Sequence, residues 1–427
     1  METAGLMNSA AIIDNPETHF SPLTFHFSLK TMFHFTALPP LTLYIHFPWC
    51  VRKCPYCDFN SHEVKEAIPE QAYVDALIAD LEQDLPLVWG RTVETIFIGG
   101  GTPSLFSPAA IDRLLGAVRA RVPLRPGAEI TLEANPGTVD QERFRGFREA
   151  GVNRLSLGIQ SFQPGLLQAI GRIHDDRQAL AAVRAAQDAG FDNLNLDLMF
   201  GLPGQDSEAA LADLRAAIAL QPAHLSWYEL TLEPNTWFYR HPPARADDET
   251  LWNMQQAGTD LLGTAGYERY EVSAYARPGR QCRHNLNYWC FGDYLGIGAG
   301  AHAKLTDAAR QTVMRYAKTR HPHSYLETAQ QRERLDSATL LTAADAVLEF
   351  AMNALRLDAG FTVDDFQTAT GLPFSASAGP LDASTARGLL EREGNVIRCT
   401  ELGMRHLDEL LQYWMVEEPD DARNSRG

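Results

Sequence analysis

Beyond residue 40, hydrophobic and polar positions along the chain follow two alternating patterns. Short runs rich in β-branched and aromatic residues predict strands at 41–47, 94–100, 129–135, 154–160, 193–201 and 224–231. Between them, apolar residues recur at three- and four-residue steps, which predicts helices at 70–85, 108–122, 140–151, 176–190 and 207–220. This alternation indicates parallel strands joined by right-handed crossovers. The pattern therefore predicts an α/β fold, a partial (β/α)6 barrel, over residues 41–240.

Polar side chains cluster at the predicted carboxyl ends of these strands, where barrel proteins place their reactive groups. They are a cysteine-rich loop after the first strand, the sequence GGGTPS after the second, Glu133 and Asn135 on the third, Gln160 on the fourth, Asp197 on the fifth and Glu229 on the sixth. Each residue alone is explained by capping or loop bonding. Their convergence on one rim favours a binding site.

The hydrophobic pattern changes on both sides of this region. Residues 1–40 show no clear periodicity, and we interpret them as a disordered N-terminal extension. Residues 241–330 begin with a predicted helix over 247–264 and continue into a Gly- and aromatic-rich stretch, which we interpret as a connecting region. Residues 331–427 predict a small C-terminal α+β domain that is helical and winged-helix-like.

Composition narrows the class of protein. The formal net charge of −17 argues against nucleic acid as a partner, because nucleic-acid binders present a basic face. The sequence has no run of 18 apolar residues and no clear signal peptide, so we expect a cytoplasmic protein. Six cysteines in 427 residues do not form a disulfide framework.

Three of the cysteines, Cys50, Cys54 and Cys57, fall within eight residues. Thiolates hold iron–sulfur clusters, and three of them on one loop leave an iron of a 4Fe–4S cube open to an exchangeable ligand. A zinc site is the competing interpretation, with His46 or His62 as the fourth ligand. The absence of a second Cys pair makes zinc the less favoured metal.

The C-x3-C-x2-C spacing at the end of the first barrel strand resembles the signature of radical S-adenosylmethionine (SAM) proteins. Further segments are LYIHFPWC, IFIGGGTPS, LEANPGT, RLSLGIQSF and GRIH. They resemble the group that contains oxygen-independent coproporphyrinogen III oxidase and the HemW haem chaperones. The resemblance runs from about residue 41 to the C-terminal helix. It implies that Cys50, Cys54 and Cys57 bind a 4Fe–4S cluster whose open iron is capped by SAM.

The resemblance also implies which residues contact SAM. Carried over position by position, they are Tyr44, Tyr56, Gly100, Gly101, Thr102, Glu133, Gln160, Arg172 and Asp197. Carboxylates suit an ammonium or ribose group, and a guanidinium suits a carboxylate. We expect the glycines to let bare backbone approach the methionine part of SAM.

Two features separate the two branches of this group. The oxidases carry a further cysteine two residues after the third, where this chain has Phe59. The sequence His284-Asn285-Leu286-Asn287-Tyr288-Trp289 fits the HNxxYW motif associated with haem binding in the chaperones. The resemblance thus implies haem contacts at His284, Asn285, Tyr288 and Trp289. From the motif alone, a half-buried segment with a hydrogen-bonded histidine and a core aromatic pair is the alternative.

The sequence therefore predicts a haem chaperone with a SAM–cluster site, which passes haem to haem-accepting respiratory proteins. Peripheral membrane association and a homodimer are further expectations. The alternative functions are coproporphyrinogen III oxidation and a radical SAM reaction on another substrate, so enzymatic activity stays open.

Overall fold

The computed structural model of the chain describes residues 33–331 and 334–415. Most of the N-terminal extension, and the last residues of the chain, lie outside these ranges. Residues 33–40, which we had predicted to be disordered, are instead ordered. The Phe35 side chain is buried, and the backbone N–H of His34 donates to the carbonyl of Gly371 at 2.7 Å.

The described residues form seventeen strands. In chain order they are β1 Leu41–Phe47, β2 Trp49–Cys50, β3 His62–Glu63, β4 Val93–Gly100, β5 Leu124–Ala134, β6 Arg154–Gln160, β7 Leu194–Phe200, β8 His224–Glu229, β9 Glu268–Glu271, β10 Ala274–Ala276, β11 Asp293–Ile297, β12 His302–Asp307, β13 Thr312–Lys318, β14 Leu335–Leu340, β15 Phe361–Thr362, β16 Leu390–Glu393 and β17 Val396–Cys399.

Fifteen α-helices accompany them. They are α1 Glu70–Asp84, α2 Pro108–Arg119, α3 Gln141–Ala150, α4 Pro164–Ala169, α5 Asp176–Asp188, α6 Ser207–Ala219, α7 Trp237–Arg240, α8 Asp248–Thr264, α9 Arg283–Trp289, α10 Pro322–Thr328, α11 Ala343–Ala354, α12 Val363–Thr370, α13 Ala378–Ala386, α14 Glu401–Arg405 and α15 Leu407–Gln412. Side-chain caps fix several starts: Asp175 and Gln178 form a capping box at α5.

The main sheet has twelve strands in the order β14-β13-β12-β11-β1-β4-β5-β6-β7-β8-β10-β9. The six predicted strands, β1 and β4 to β8, are parallel and adjacent in chain order, which confirms the predicted α/β fold. The segment 241–330, interpreted as a connecting region, extends this same sheet on both sides. In particular, β11 lies parallel to β1 on the side away from β4.

Alternation along the strands gives the sheet two chemically different faces. In β6, Leu155, Leu157 and Ile159 belong to the hydrophobic core between the sheet and its helices. The intervening residues Arg154 and Ser156 are buried as well, although they are polar. The face away from the helices is therefore a buried polar interior, and it is this interior that positions the candidate site.

The C-terminal part has its own α+β architecture. Strands β15, β17 and β16 form a three-stranded sheet next to helices α11, α12 and α13. A second hydrophobic core fills this region, with Phe350, Phe366 and Trp414 among its buried members. The predicted small C-terminal domain is thus present, and its core includes Phe35 from the segment before β1.

Candidate functional site

The cysteine loop follows β1 and is held by backbone hydrogen bonds to the glycine run after β4. The N–H groups of Gly101 and Thr102 each donate at 2.7 Å, to the carbonyls of Phe47 and Trp49 respectively. At the other end of the loop, the Asn60 amide donates to the carbonyls of Ala299 and Arg320 at 2.9 and 2.8 Å. The loop is therefore fixed by segments far away in the sequence.

Each thiol of the loop has a polar neighbour. Thr102 Oγ1 donates to Cys50 Sγ at 3.4 Å, and Arg172 Nη1 donates to Cys54 Sγ at 3.7 Å. Cys57 Sγ lies 3.8 Å from Ser61 Oγ. Burial raises the pKa of Cys57 to about 12, with Cys54 and Cys50 adding to the effect. Metal binding at these thiols therefore displaces protons.

The surroundings of the thiols do not support the zinc alternative. Both ring nitrogens of His46 are already engaged, Nδ1 with the Tyr44 hydroxyl at 3.0 Å and Nε2 with the Asn60 carbonyl at 2.9 Å. His62 Nε2 lies 3.3 Å from Asn60 Oδ1.

The glycine run is required for packing, and the approach of its backbone to SAM stays a prediction. A Cβ on Gly101 would lie 2.5 Å from the Trp49 carbonyl oxygen, and one on Gly100 would lie 2.4 Å from the His46 ring. Gly100 also has φ +112°, a conformation that side chains disfavour. These two glycines thus bring β4 against β1 and the cysteine loop.

Two of the predicted SAM contacts, Glu133 and Asp197, are a neighbouring pair of buried carboxyl groups. Burial first, and then Asp197, raises the pKa of Glu133 to about 8. Burial also raises the pKa of Asp197. Glu133 Oε2 accepts a hydrogen bond from the Gly100 N–H at 3.0 Å. Such a pair favours a cationic ligand, because a nearby positive charge stabilises both ionised carboxylates.

Arg172 and Gln160 lie on the cysteine-loop side of this pair. Arg172 Nη2 donates to the Gly158 carbonyl at 2.5 Å, while its buried Nε has no hydrogen-bond partner. Gln160 ends β6 in the left-handed region, with φ 68°, and accepts a hydrogen bond from the Tyr228 hydroxyl at 2.8 Å. Left-handed backbone at a non-glycine residue is strained and is frequent at binding sites.

The remaining rim residues differ in their neighbours, which are the thiols for one residue and an ion-pair partner for another. Tyr56 is half-buried beside Cys54, and desolvation of its hydroxyl raises its pKa. Glu229 instead pairs with Arg245 at 2.6 Å. A crevice opens beside the cysteine loop, lined by Val51, Arg52, Cys54, Thr102, Asn135, Thr138, Arg172 and Ile173.

The HNLNYW segment lies at the opposite, amino-terminal end of the parallel strands. It forms the helix α9, whose first N–H groups at Arg283 and His284 donate to the Glu129 carboxylate at 3.3 and 3.1 Å. Glu129 precedes Glu133 by four residues on β5, so the two levels lie about 13 Å apart along the strand. The helix therefore closes the floor of the polar interior, whereas the thiols lie at its mouth.

The His284 side chain is fully engaged inside the protein. Its Nδ1 lies 2.7 Å from Thr95 Oγ1, and its Nε2 lies 3.1 Å from the Tyr288 hydroxyl. Burial lowers the pKa of His284 to about 3, so the ring is neutral. This arrangement matches the alternative interpretation of the motif, a hydrogen-bonded histidine in a buried setting.

The other motif residues differ in exposure. Trp289 is buried with the Arg356 guanidinium 4.4 Å from its ring centroid, whereas Asn285 is half-buried. Tyr288 and His284 form an edge-on ring pair, and Phe97 lies between His284 and the ring of Tyr44. Aromatic packing thus joins the motif to Tyr44, one of the predicted SAM contacts.

Sequence reasoning missed several polar residues of the interior. Asn195, His224 and Tyr270 form a hydrogen-bonded series beneath Asp197. Each occupies an ordinary strand position, and none belongs to a recognisable motif. The local signal is a row of polar residues on one face of a strand, as with Asn195, whose neighbours Leu194 and Leu196 point to the other face.

Within residues 33–331 and 334–415, no helix is both long enough and apolar enough to cross a bilayer.

Comparison with protein families agrees with this geometry. Residues 44–217 match the model of the radical SAM superfamily, and residues 341–406 match the model of the HemN C-terminal domain. The first match spans the cysteine loop and strands β4 to β7, which carry most of the predicted SAM contacts. The second falls in the separate C-terminal core.

Curated relatives narrow the class further. The chain is 50% identical over 380 residues to the haem chaperone HemW of Escherichia coli, covering 89% of this chain and 99% of that protein. It is 48% identical over 385 residues to the haem chaperone HemW of Haemophilus influenzae, again covering 89% and 99%. The chain therefore belongs to the HemW haem-chaperone family of the radical SAM superfamily.

A solved structure supports the fold. The protein described as coproporphyrinogen III oxidase (HemN) from Escherichia coli, a radical SAM enzyme, matches with a TM-score of 0.75 at 23% sequence identity. The match covers 88% of this chain and 90% of that one. At this identity the likeness shows a shared fold and does not carry the oxidase activity to this chain.

Proposed function

We propose that this protein is a haem chaperone that carries a 4Fe–4S cluster on Cys50, Cys54 and Cys57, with SAM as the exchangeable ligand of the cluster. The observation that carries the proposal is the mouth of the barrel. There, three thiols on one pinned loop lie next to Arg172, above the two buried carboxyl groups of Glu133 and Asp197.

The side chains of the mouth have roles that fit SAM, which carries a sulfonium, an ammonium and a carboxylate. Glu133 and Asp197 suit the cationic and hydroxyl groups, and Arg172 suits the carboxylate through its free Nε. The walls of the site would be formed by the other predicted SAM contacts, which are Tyr44, Tyr56, Gly100, Gly101, Thr102 and Gln160. When bound, the cluster supplies an electron for reductive cleavage of SAM, the chemistry that defines the superfamily.

Haem is proposed to dock at the HNLNYW segment, in which Asn285 is half-buried. The relatives named as haem chaperones support haem as the ligand. Because both His284 ring nitrogens are engaged, axial ligation by this residue requires a local rearrangement of α9. The proposed partners are haem-accepting respiratory proteins. Peripheral membrane association, a homodimer and a cytoplasmic location complete the proposal.

The alternative function is oxidation of coproporphyrinogen III, and the shared fold is the observation in its favour. The position of the additional oxidase cysteine is held by Phe59, which is half-buried and whose carbonyl accepts hydrogen bonds from Lys53 Nζ at 3.1 Å and the Ser61 N–H at 2.6 Å. No thiol is available there, so the chaperone is the favoured function.

The test is an anaerobic assay of the iron- and sulfide-reconstituted protein, with haem titrated in parallel with turnover of coproporphyrinogen III and SAM. We expect stoichiometric haem binding, broad visible absorbance of the cluster and no protoporphyrinogen. Cys54→Ser should lose the cluster absorbance, while the exposed Cys290→Ser should keep it. Protoporphyrinogen formation would reassign the chain to the oxidase, and an unchanged Cys54→Ser spectrum would remove the cluster assignment.

A further inference from the structure

A continuous series of hydrogen bonds runs beneath the mouth, from Asp197 to the start of α9. Asn195 Nδ2 donates to Asp197 Oδ1 at 2.7 Å, and Asn195 Oδ1 lies 2.6 Å from His224 Nδ1. His224 Nε2 lies 2.8 Å from the Tyr270 hydroxyl, which accepts from the Cys282 N–H at 3.3 Å. Cys282 directly precedes α9, the helix of the HNLNYW segment.

The direction of this series is fixed by its two ends. Asp197 accepts a hydrogen bond at Oδ1 from Asn195 and at Oδ2 from Ser156, so the Asn195 amide turns its NH2 group toward Asp197 and its oxygen toward His224. His224 Nδ1 then carries the proton, and Nε2 accepts from the Tyr270 hydroxyl. The backbone N–H of Cys282 only donates, which suits the remaining lone pair of the Tyr270 oxygen. Every donor thus points toward Asp197.

Side interactions at the carboxylate end hold the same orientation. Ser156 Oγ accepts from Asn195 Nδ2 at 2.7 Å and donates to Asp197 Oδ2 at 3.1 Å. Ser226 Oγ donates to Asn195 Oδ1 at 3.1 Å. Reversing the Asn195 amide would place its oxygen against both the carboxylate and Ser156. Removing the acceptor at Asp197 is therefore the change that frees the whole series.

We propose that Asn195, His224 and Tyr270 are positioning residues that couple Asp197 at the mouth to the HNLNYW helix at the floor. The proposal deepens the proposed function, on which it rests for its meaning: a change at the SAM contact Asp197 alters how firmly the helix is held. The hydrogen-bonded series itself depends only on the fold. Hydrogen-bond chains in a dry interior polarise one another, so loss of one link weakens the others.

The test is a double-substitution cycle read by hydrogen exchange of the peptide that covers Cys282 and α9. It uses the protein without cluster or SAM, so its outcome is independent of the proposed function. Asp197→Ala should speed exchange of these amides by ~3-fold or more. In the Tyr270→Phe background, which lacks the last link, Asp197→Ala should change the exchange by less than ~1.5-fold.

Tyr275→Phe is the matched control. Tyr275 is a buried tyrosine on β10, the strand next to that of the half-buried Tyr270, and its hydroxyl lies 2.8 Å from Thr259 Oγ1 instead of joining the series. In the Tyr275→Phe background, Asp197→Ala should keep its full effect. If Asp197→Ala does not fold, Asn195→Ala takes its place in the same cycle, since it removes the first link.

Two results would overturn the coupling. One is exchange of the α9 peptide that Asp197→Ala and Asn195→Ala both leave unchanged. The other is an equal acceleration in the wild-type and Tyr270→Phe backgrounds, which would mean that the effect spreads through general loosening of the interior. Failure of SAM or haem to bind the reconstituted protein would instead count against the proposed function and leave the cycle unaffected.

Discussion

The two ends of the polar interior use similar residues in opposite ways. At the floor, the Glu129 carboxylate accepts hydrogen bonds from two backbone N–H groups and the Cys282 thiol, and both nitrogens of His284 are engaged. At the mouth, burial raises the pKa of Glu133 and of the Cys50 and Cys57 thiols, and the Nε of Arg172 has no hydrogen-bond partner. Glu129 and His284 at the floor therefore have their hydrogen-bond partners within the protein, whereas the residues of the mouth are arranged to bind an additional charged group.

This difference teaches that a motif and a site are separate things. Histidine, asparagine, tyrosine and tryptophan suit haem binding and suit a buried helix anchor equally well. Only the satisfaction of their polar atoms distinguishes the two uses. In this protein the cysteine loop has the properties of a site. In the HNLNYW helix, His284 has the properties of a structural anchor, whereas the buried Nε1 of Trp289 has no hydrogen-bond partner.

The largest expected effect is at the mouth, from Gly101→Ala. The added Cβ would meet the Trp49 carbonyl at 2.5 Å, and a backbone atom in a pinned loop cannot yield cheaply. We expect a loss of more than ~3 kcal/mol in the free energy of unfolding, together with loss of cluster absorbance after reconstitution. Denaturant unfolding and visible spectroscopy measure the two effects.

Gly116→Ala is the control for this substitution. Gly116 lies within α2, and an added Cβ there meets nothing within 4 Å. This variant should gain ~0.5–1 kcal/mol from higher helix propensity and keep the cluster. A Gly101→Ala protein with wild-type stability and absorbance would show that the contact between the glycine run and the cysteine loop is not needed.

An intermediate effect is expected at the floor, from His284→Ala. The substitution removes two buried hydrogen bonds and leaves a cavity beside Phe97, so we expect a loss of about 2–4 kcal/mol in the free energy of unfolding. Cluster absorbance of the folded protein should stay at the wild-type level. Denaturant unfolding and haem titration of the same samples measure stability and affinity together.

The companion variant Asn285→Ala separates anchoring from haem contact. Asn285 is half-buried, so its loss should cost less than ~0.5 kcal/mol, while haem affinity should fall. Unchanged haem affinity in Asn285→Ala would contradict the proposed haem site, because this half-buried residue of the motif would then have no role in haem binding.

A pH dependence at Glu133 is a smaller effect than those of Gly101→Ala and His284→Ala. Its folded-state pKa of about 8 exceeds the ordinary value of 4.5, so the folded protein binds more protons than the unfolded chain between these values. The contribution of Glu133 to the free energy of unfolding therefore falls as the pH rises from 4.5 to about 8, and it is constant above that range. The side chain at position 133 of the Glu133→Gln variant does not titrate. As the pH rises from 6 to 7.5, the free energy of unfolding of this variant should therefore increase by about 1–2 kcal/mol relative to that of the wild type.

Thermal melts of the two apo-proteins at pH 5, 6, 7 and 8 measure this difference. The reference is Glu94→Gln, since Glu94 lies on the surface in an ion pair with Arg125. A stability difference between Glu133→Gln and wild type that is constant over this range would show that the Glu133 carboxyl is ionised in the folded protein.

The sequence predicted the parallel strands well, because their composition and alternation are local signals. The bounds of β1 and β6 are those predicted, and the helices between strands follow the same apolar spacing. The sequence did not predict that β11 pairs with β1 or that β10 pairs with β8, because pairing between strands far apart in the chain cannot be recognised from a short stretch of residues. The ordered residues 33–40 were missed for the same reason, since Phe35 packs against a core formed at the other end of the chain.

The site was predicted unevenly. Cysteine spacing and glycine runs identified the mouth, because few other functions require those residues in that order. The burial of His284 was not predictable, since it depends on Thr95 and Glu129 from other strands. His224 and Tyr270 were missed because their role exists only when β8 and β9 bring them together beneath Asp197.

The attachment of the cysteine loop to distant segments has a consequence for the order of events during synthesis. Asn60 at the end of the loop is held by the carbonyls of Ala299 and Arg320, and β1 pairs with β11. At roughly 5–20 residues per second, the ribosome needs on the order of 10–50 s to deliver these partners. The thiols thus emerge early and acquire their final arrangement late, so iron loading of the finished loop follows translation of most of the chain.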